Sequence, residues 1–456
     1  MMSVLINILA ILVALGVLVS VHEYGHFIVA RWCGVKVLRF SIGFGRPLWR
    51  RVSKQGTEFT LAWIPLGGYV RMLDEREGPV PGEQRQQAFN NKGVWQRIAV
   101  VSAGPLANFI FAIFAYWLVF MLTATQLVPV IGSVGAGSLA AQAGLKANQE
   151  IVAVDQQKVD SWQAINLALV RRLGDSGPLT ISIKQPDSGG RVTKTIDLDH
   201  WLAGADNPEA LDSLGISPLL PVLPAVIGQL SAGQPAAQAG LQPGDKVIKV
   251  NQQTVTDWSD FVSIIQSHPD KQLTLVVERQ QQPVTLTLTP TAKKLADGQV
   301  IGHIGAGVQS AKQLDNLFRT YHYTPWSALL RAMQQTVDMI VINLVAIKKL
   351  LLGLISISNI SGPVTIAQVA GQTAASGLVA FLSFLAFLSV ALGVLNLLPV
   401  PVLDGGHLLY YLIEVVIRRP VPENIQAVGF KLGLLVIIGL MVLALFNDLT
   451  RLGLGH

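Results

Sequence analysis

Uncharged apolar runs punctuate the chain at Met1 to Val21, Ile98 to Phe120 and Leu378 to Leu398, with a shorter one at Leu432 to Phe446 extended by the turn before it. A helix rises ~1.5 Å per residue, so about 20 residues cross the ~30 Å hydrocarbon core. The four runs predict transmembrane helices. The first lacks the basic start and small-residue cleavage pattern of a signal peptide, which predicts a retained span. Gly104, Pro105 and Asn108 interrupt the second, as membrane helices tolerate when neighbours satisfy the freed backbone groups.

Two further stretches are apolar without the pattern of a span. Trp326 to Leu354 is cut by Arg331, Asp338, Lys348 and Lys349, which suits a helix lying in the membrane interface. Were it to cross, Asp404 would fall on the face opposite His22. Ser356 to Gly377 is uncharged but rich in Ser, Thr, Gly and Asn and reads as an interfacial or a re-entrant connector.

Composition agrees with a membrane protein: of 456 residues 51% are hydrophobic and 14% charged, against roughly 25% charged in soluble domains. A single soluble globule and a disordered chain are both excluded. The single cysteine, Cys33, excludes an intramolecular disulfide and a cysteine-based zinc cluster, and reads as an unreactive cytoplasmic thiol. The net charge of +6 points to the membrane, with no nucleic-acid partner, because of where it sits. Residues 31–97 hold 12 Lys/Arg against 5 Asp/Glu, and residues 122–324 hold 15 against 17. By the positive-inside rule the first segment faces the cytoplasm, the second is exported, and both termini lie outside.

The exported region repeats itself at an offset of 96: Val130 to Trp162 matches Val226 to Trp258 at sixteen of 33 positions. Each copy reads as a strand, a Gly-containing loop, a short helix ending at Gly144 or Gly240, a strand and a turn before another helix. The copies resemble PDZ domains, which bind extended peptides by strand addition. The first carries Asn148 and Gln149 where the second has Gly244 and Asp245. Two α/β modules that only fill or gate a surface remain the alternative.

Chemistry enters with His22-Glu23-Tyr24-Gly25-His26 after the first run. On a helix the two imidazoles share a face and can bind one zinc ion, with Glu23 placed to take a proton from its water. A third protein ligand is needed, and Asp404 in NLLPVPVLDGGH (Asn396 to His407) is the candidate, projected by a helix break at Pro399 and Pro401 and by Gly405 and Gly406. His407 is a weaker candidate that reads equally as an interfacial histidine. Asn396 is placed to hydrogen-bond an unwound substrate backbone or a neighbouring helix. Gly174-Asp-Ser176-Gly-Pro178 spells a serine-protease signature, but no histidine outside the membrane precedes it, so it reads as a polar turn.

HEYGH at the end of a first span and NLLPVPVLDGGH at the end of a later one resemble the site-2 protease family of intramembrane zinc metalloproteases. Two PDZ-like copies between the second and third spans are similar to its sigma-E-regulating branch. SIGFGRP (Ser41 to Pro47), IPLGGYVRM (Ile64 to Met72), SAGPLANF (Ser102 to Phe109) and SGPVTIA (Ser361 to Ala367) extend the likeness over nearly the whole chain. The resemblance implies one Zn2+ per chain held by His22, His26 and Asp404, with Glu23 as base. It implies cleavage of single-pass substrates within their membrane segments after trimming: an anti-sigma factor, and remnant signal peptides. PDZ modules would gate access by size. The strands Val37 to Ile42 and Glu58 to Ile64 resemble a membrane-associated β element, whose Gly43, Phe44 and Gly45 would contact substrate.

The expected fold is a polytopic α-helical protein of the bacterial inner membrane. It comprises the zinc-motif helix (1–29), a cytoplasmic loop with the β element (30–97), a second span (98–121), PDZ-like α+β domains (122–221 and 222–310), an interfacial helix and connector (311–377), a third span with the metal-ligand loop (378–418) and a fourth span (425–447). The active site is expected near the cytoplasmic side, in contact with lipid. Two other classes compete: a PDZ-bearing receptor with a structural metal, and a zinc or proton-coupled transporter. Glu23 discriminates, since hydrolysis needs a base and coordination does not.

Overall fold

Apolar periodicity and length produce seven helices of 14 residues or more among the described residues: α1 (Met2–Trp32), α2 (Val94–Leu122), α3 (Pro325–Leu351), α4 (Pro363–Ser376), α5 (Leu378–Asn396), α6 (Asp404–Ile417) and α7 (Glu423–Arg451). The computed structural model describes residues 2–122, 125–185, 190–205, 209–219, 223–231, 233–294, 300–309, 318–320 and 323–451. The expected domain boundaries at 221/222 and 310/311 fall outside these residues. Five of the helices, α1, α2, α3, α5 and α7, are long and apolar enough to cross a membrane by length and composition. α3 is the marginal one, with a mean hydropathy of 1.2 against 2.0 to 2.9 for the other four.

The helices outrun the uncharged segments that announce them. α1 continues to Trp32, so the HEYGH motif sits inside a continuous helix, not at its end. The connector at 356–377 is mostly helix: α4, at 14 residues, is short of the ~20 needed to cross. Asp404 opens a new helix, α6, in place of lying in a loop.

α2 is the central packing element, flanked by α1 and α5. Small residues let the backbones close: Ala112 and Ala115 bury against Ala332 of α3 and Ala386 of α5. A Cβ on Gly25 would lie 2.3 Å from Ala103 O, so α1 and α2 touch backbone to backbone there. α7 is held at its far end, where the buried Asp448 carboxylate accepts from the N–H groups of Gly362 (3.0 Å), Val364 (2.8 Å) and Thr365 (3.2 Å). Those donors are the unpaired amides at the start of α4, satisfied by a carboxylate.

The β element is larger than the sequence suggests. β1 (Val37–Val52) and β2 (Glu58–Met72) each bend, which gives four segments in the order 68–72, 37–42, 58–61, 47–52. The two outer pairings are antiparallel, and 37–42 runs parallel to 58–61, from Arg39 opposite Glu58 to Ile42 opposite Leu61. Gly43 and Gly45 make the bend in β1, at φ of 89° and 90°.

The two repeats share one topology. Each has a four-stranded antiparallel sheet, and the pair Ile131–Val134 with Ile216–Pro218 recurs as Ile227–Leu230 with Ala306–Val308. The offset of 96 is visible in the cores: Ile131, Leu145, Ile151 and Leu179 correspond to Ile227, Leu241, Val247 and Leu275, all buried. The divergent turn keeps its conformation. Asn148 (φ 64°) and Gly244 (φ 95°) both donate N–H to the isoleucine of the first strand, and Gln149 Oε1 caps Lys146 N (2.9 Å) as Asp245 Oδ2 caps Gln242 N (2.8 Å). Thr125–Leu127 and Phe318–Thr320 pair antiparallel and close the base of this double insertion.

Candidate active site

Three ligand-type side chains from two distant parts of the chain converge inside the helix bundle. His22 and His26 lie one turn apart on α1, and both are buried. Their Nε2 atoms are 3.2 Å apart. Asp404 Oδ2 lies 3.1 Å from His22 Nε2 and 3.4 Å from His26 Nε2. The turn that delivers Asp404 is tight: Cβ atoms on Gly405 and Gly406 would lie 2.2 Å from Leu398 O and 2.4 Å from Pro401 Cα. Only glycine lets α6 start so close to the end of α5.

This set fits zinc on its own geometry. Tetrahedral sites with bonds of about 2.0 to 2.1 Å place neighbouring ligands about 3.3 to 3.4 Å apart, close to the three separations here. Asp404 Oδ2 is buried without a hydrogen-bond donor. His26 Nδ1 faces Val100 O at 2.8 Å, which fixes the proton on Nδ1 and leaves the Nε2 lone pair for a metal. His22 Nδ1 faces the Asn108 amide at 3.2 Å. With Nε2 turned to the cluster, the His22 proton also sits on Nδ1. Asn108 Nδ2 stands at that 3.2 Å distance while Oδ1 has no partner; the same amide turned over presents Oδ1 to accept the His22 proton.

α2 therefore supplies the support that the motif reading missed. Gly104 leaves room for both rings: a Cβ there would be 2.2 Å from His26 Nε2 and 2.8 Å from His22 Cε1. Asn108 is held in turn through its carbonyl, which accepts from Ser389 Oγ of α5 (2.8 Å). The signal was present in SAGPLANF as a glycine and an asparagine in an apolar helix. Replacing Asn108 by Leu is expected to weaken zinc affinity ~10 to 100-fold, since it leaves a buried Nδ1–H unpaired; chelator competition reads this, and an unchanged affinity would contradict the assigned role.

Glu23 is half-buried on the same helix. The Val70 backbone passes beside its carboxylate. The strand passes close because it has glycine there: a Cβ on Gly68 would lie 3.1 Å from Glu23 Cγ and 2.9 Å from Val19 Cγ1. Gly43, Phe44 and Gly45 are not at the cluster. Phe44 stacks on Tyr69 (6.0 Å between centroids), one residue from the backbone that touches Glu23. Asn396 ends α5 half-buried. His407 is exposed beside Tyr410 and outside the three-ligand cluster.

α6 is braced at its other end. Arg97 of α2 makes a two-pronged ion pair with Glu414 (2.6 and 3.1 Å) while its guanidinium lies over Tyr411, 4.8 Å from the ring centre. α2 thus contacts α1 at the imidazoles and α6 at Arg97, and links both halves of the cluster.

The serine-protease signature meets a histidine that follows it in the chain. Ser176 Oγ lies 3.4 Å from His200 Nδ1, but the same nitrogen faces Asp199 at 2.7 Å. A triad needs opposite ring nitrogens for Ser and Asp. Both His200 and Asp199 are fully solvated, at 77% and 92% side-chain exposure. The segment is a surface turn.

Chemically, the site can hold a Lewis acid and hydrolyse an amide. A zinc ion, when bound, supplies positive charge that makes water nucleophilic at neutral pH and polarises a carbonyl. His22, His26 and Asp404 would hold and orient it, with Gly104 and Asn108 fixing the rings, and Glu23 is the carboxylate placed to take a proton from an attacking water and return it to a leaving nitrogen.

Comparison with known proteins agrees. The model of peptidase family M50 matches residues 10–440. The chain is 45% identical over 453 residues to a putative zinc metalloprotease of Vibrio cholerae, covering 99% of this chain and all of that one. It is 46% identical to the regulator of sigma-E protease RseP of Salmonella typhimurium over 453 residues, and 45% identical to that of Escherichia coli over 452, again over 99% of this chain and all of each relative. A metal-ligand cluster inside apolar helices and a family match along almost the whole length lead to one conclusion: the chain belongs to the site-2 metalloproteases of peptidase family M50, and is a membrane-spanning zinc metalloprotease.

Proposed function

We propose that this protein hydrolyses peptide bonds within the membrane segments of single-pass proteins, using one zinc per chain held by His22, His26 and Asp404 with Glu23 as general base. The observation that carries the reading is the convergence of three metal-ligand atoms within 4.8 Å inside a bundle of apolar helices. The relatives named for regulating sigma E suggest a trimmed membrane anti-sigma factor as substrate, with remnant signal peptides as a second class. Metal analysis tests the ligand set: the parent is expected to carry one zinc, and His22→Ala, His26→Ala and Asp404→Ala proteins little or none. A variant that keeps full zinc removes that residue from the set.

A helical substrate must unwind before water can reach its carbonyl. Segment 68–72 is an edge of the β element and passes beside Glu23. An extended substrate strand added to this edge would bring a peptide bond beside the base. Gly43, Phe44 and Gly45 would support that edge from the adjacent bend, and Asn396 would bond the unwound backbone.

In this reading α1, α2, α5 and α7 cross the inner membrane and α3 lies along its outer surface. Polar contacts between α3 and the first module support this. Arg331 meets Asp160 (3.0 Å), Asp338 meets Arg171 (3.0 Å), and the buried Lys349 Nζ donates to Arg171 O (2.6 Å), Leu173 O (2.5 Å) and Asp175 (2.8 Å). These anchors span ~27 Å of helix, so a water-exposed module follows α3 over nearly its whole length. Residues 31–97, and with them the active site, lie on the cytoplasmic side; the two PDZ-like modules are exported. In a Cys33→Ser background, an impermeant thiol reagent applied from outside is expected to label Gln234→Cys and spare Ser53→Cys. The opposite pattern reverses the orientation.

The modules then gate access by size. Replacing Val130 to Pro290 by a flexible linker is expected to retain cleavage of a trimmed substrate and to permit cleavage of the untrimmed one. Equal slowing on both would favour recruitment by the PDZ grooves instead.

A further inference from the structure

At the end of the bundle opposite the repeat modules, the start of α2 and the end of α6 enclose an open cleft of about 420 Å3, lined by Lys92, Trp95, Arg97, Glu414 and Arg418 among others. Its charge is unbalanced. Glu414 is engaged by Arg97 on two prongs, so that pair is neutral and forms the floor. Lys92 and Arg418 have no carboxylate partner among the described residues, which leaves two cations facing one cavity, with Arg419 next in the chain. The backbone turns sharply at Arg418: it ends α6 in the left-handed region, at φ 56°.

The rim of the cleft is apolar. Val94, Trp95 and Val415 line it, and Trp95 is 66% exposed. A site for a soluble anion needs the two cations and gains nothing from bare indole and aliphatic side chains around them. An amphiphile uses both, and the cleft lies where a membrane helix begins, at the depth of headgroups and of interfacial tryptophan.

We propose that this cleft binds an anionic phospholipid, with Lys92 and Arg418 on its phosphate and Val94, Trp95 and Val415 along its acyl chains. The bound lipid bridges α2 and α6. These two helices carry Gly104 and Asn108 on one side of the metal cluster and Asp404 on the other, so the lipid reinforces the Arg97–Glu414 brace. The occupant is a lipid of the surrounding bilayer; no protein partner is invoked.

The test uses the full-length protein, delipidated in detergent, with phosphatidylglycerol, phosphatidylcholine or inorganic phosphate added, and binding read by native mass spectrometry. The parent is expected to retain phosphatidylglycerol in preference to phosphatidylcholine. A Lys92→Gln/Arg418→Gln protein should lose roughly thirtyfold in that binding, about fivefold per cation, while Lys92→Arg/Arg418→Lys keeps it. Equal retention of both lipids, undiminished binding in the neutral variant, or displacement by millimolar phosphate would overturn the proposal. Should the neutral variant not fold, photoactivatable phosphatidylglycerol on the unaltered protein decides: crosslinks to residues 92–97 and 412–419 support the site, and crosslinks elsewhere only would reject it.

Discussion

Replacing Glu23 by Gln is expected to leave zinc content at the parental level and to lower turnover by at least ~10²-fold, up to ~10⁴-fold, the range a positioned general base contributes. The substitution preserves shape, and the Val70 backbone beside the side chain meets a group of the same size. Only proton uptake is lost. Zinc analysis beside a cleavage assay on the same preparation separates this from unfolding. Parental turnover in the Gln variant would exclude Glu23 as base and reopen the receptor and transporter readings, neither of which needs one.

Gly104→Ala is expected to be nearly as damaging without touching a ligand. The new methyl would lie 2.2 Å from His26 Nε2, and the ring cannot swing aside because Nδ1 is tied to Val100 O at 2.8 Å. Either the imidazole leaves the cluster or α2 withdraws from α1, and both displace ligands by something near 1 Å. A shift of that size costs ~10²-fold in rate and ~10 to 100-fold in metal affinity. Zinc affinity by chelator competition and initial rate should fall together, while membrane insertion is retained. A Gly104→Ala protein with parental zinc affinity would mean that the approach of α2 to the imidazoles is looser than described.

What the sequence made legible follows from which interactions are local. HEYGH announces itself because helical geometry brings residues four apart together within one element. The repeat is visible because the same core positions, Ile131 with Ile227 and Ile151 with Val247, are preserved at one offset. Asp404 was legible through its surroundings, two prolines before it and two glycines after it. The supporting residues were not, because they depend on which helices touch. Gly104 reads as an ordinary small residue of a membrane helix until α1 is laid across it. Asn108 reads as a tolerated polar interruption, and Asp448 as the end of a span, until α4 presents its unpaired amides. In the β element the strands at 37–42 and 58–64 were expected, whereas the second pairing of each was not. That pairing needs the bend of β1 at Gly43 and Gly45 and a bend of β2, where Gly67 (φ 128°) precedes the segment 68–72 that passes Glu23.

The central claim is that His22, His26 and Asp404 hold a zinc that drives hydrolysis inside a membrane segment. Fragment masses test it most directly. The protein is reconstituted in lipid vesicles with a trimmed single-pass substrate, as prepared, after chelation, and after zinc is restored. The account predicts two fragments whose masses sum to the substrate plus one water, cut within the apolar segment, absent under chelation and recovered with zinc. Cleavage that persists without metal, or a cut confined to residues outside the apolar segment, would contradict it.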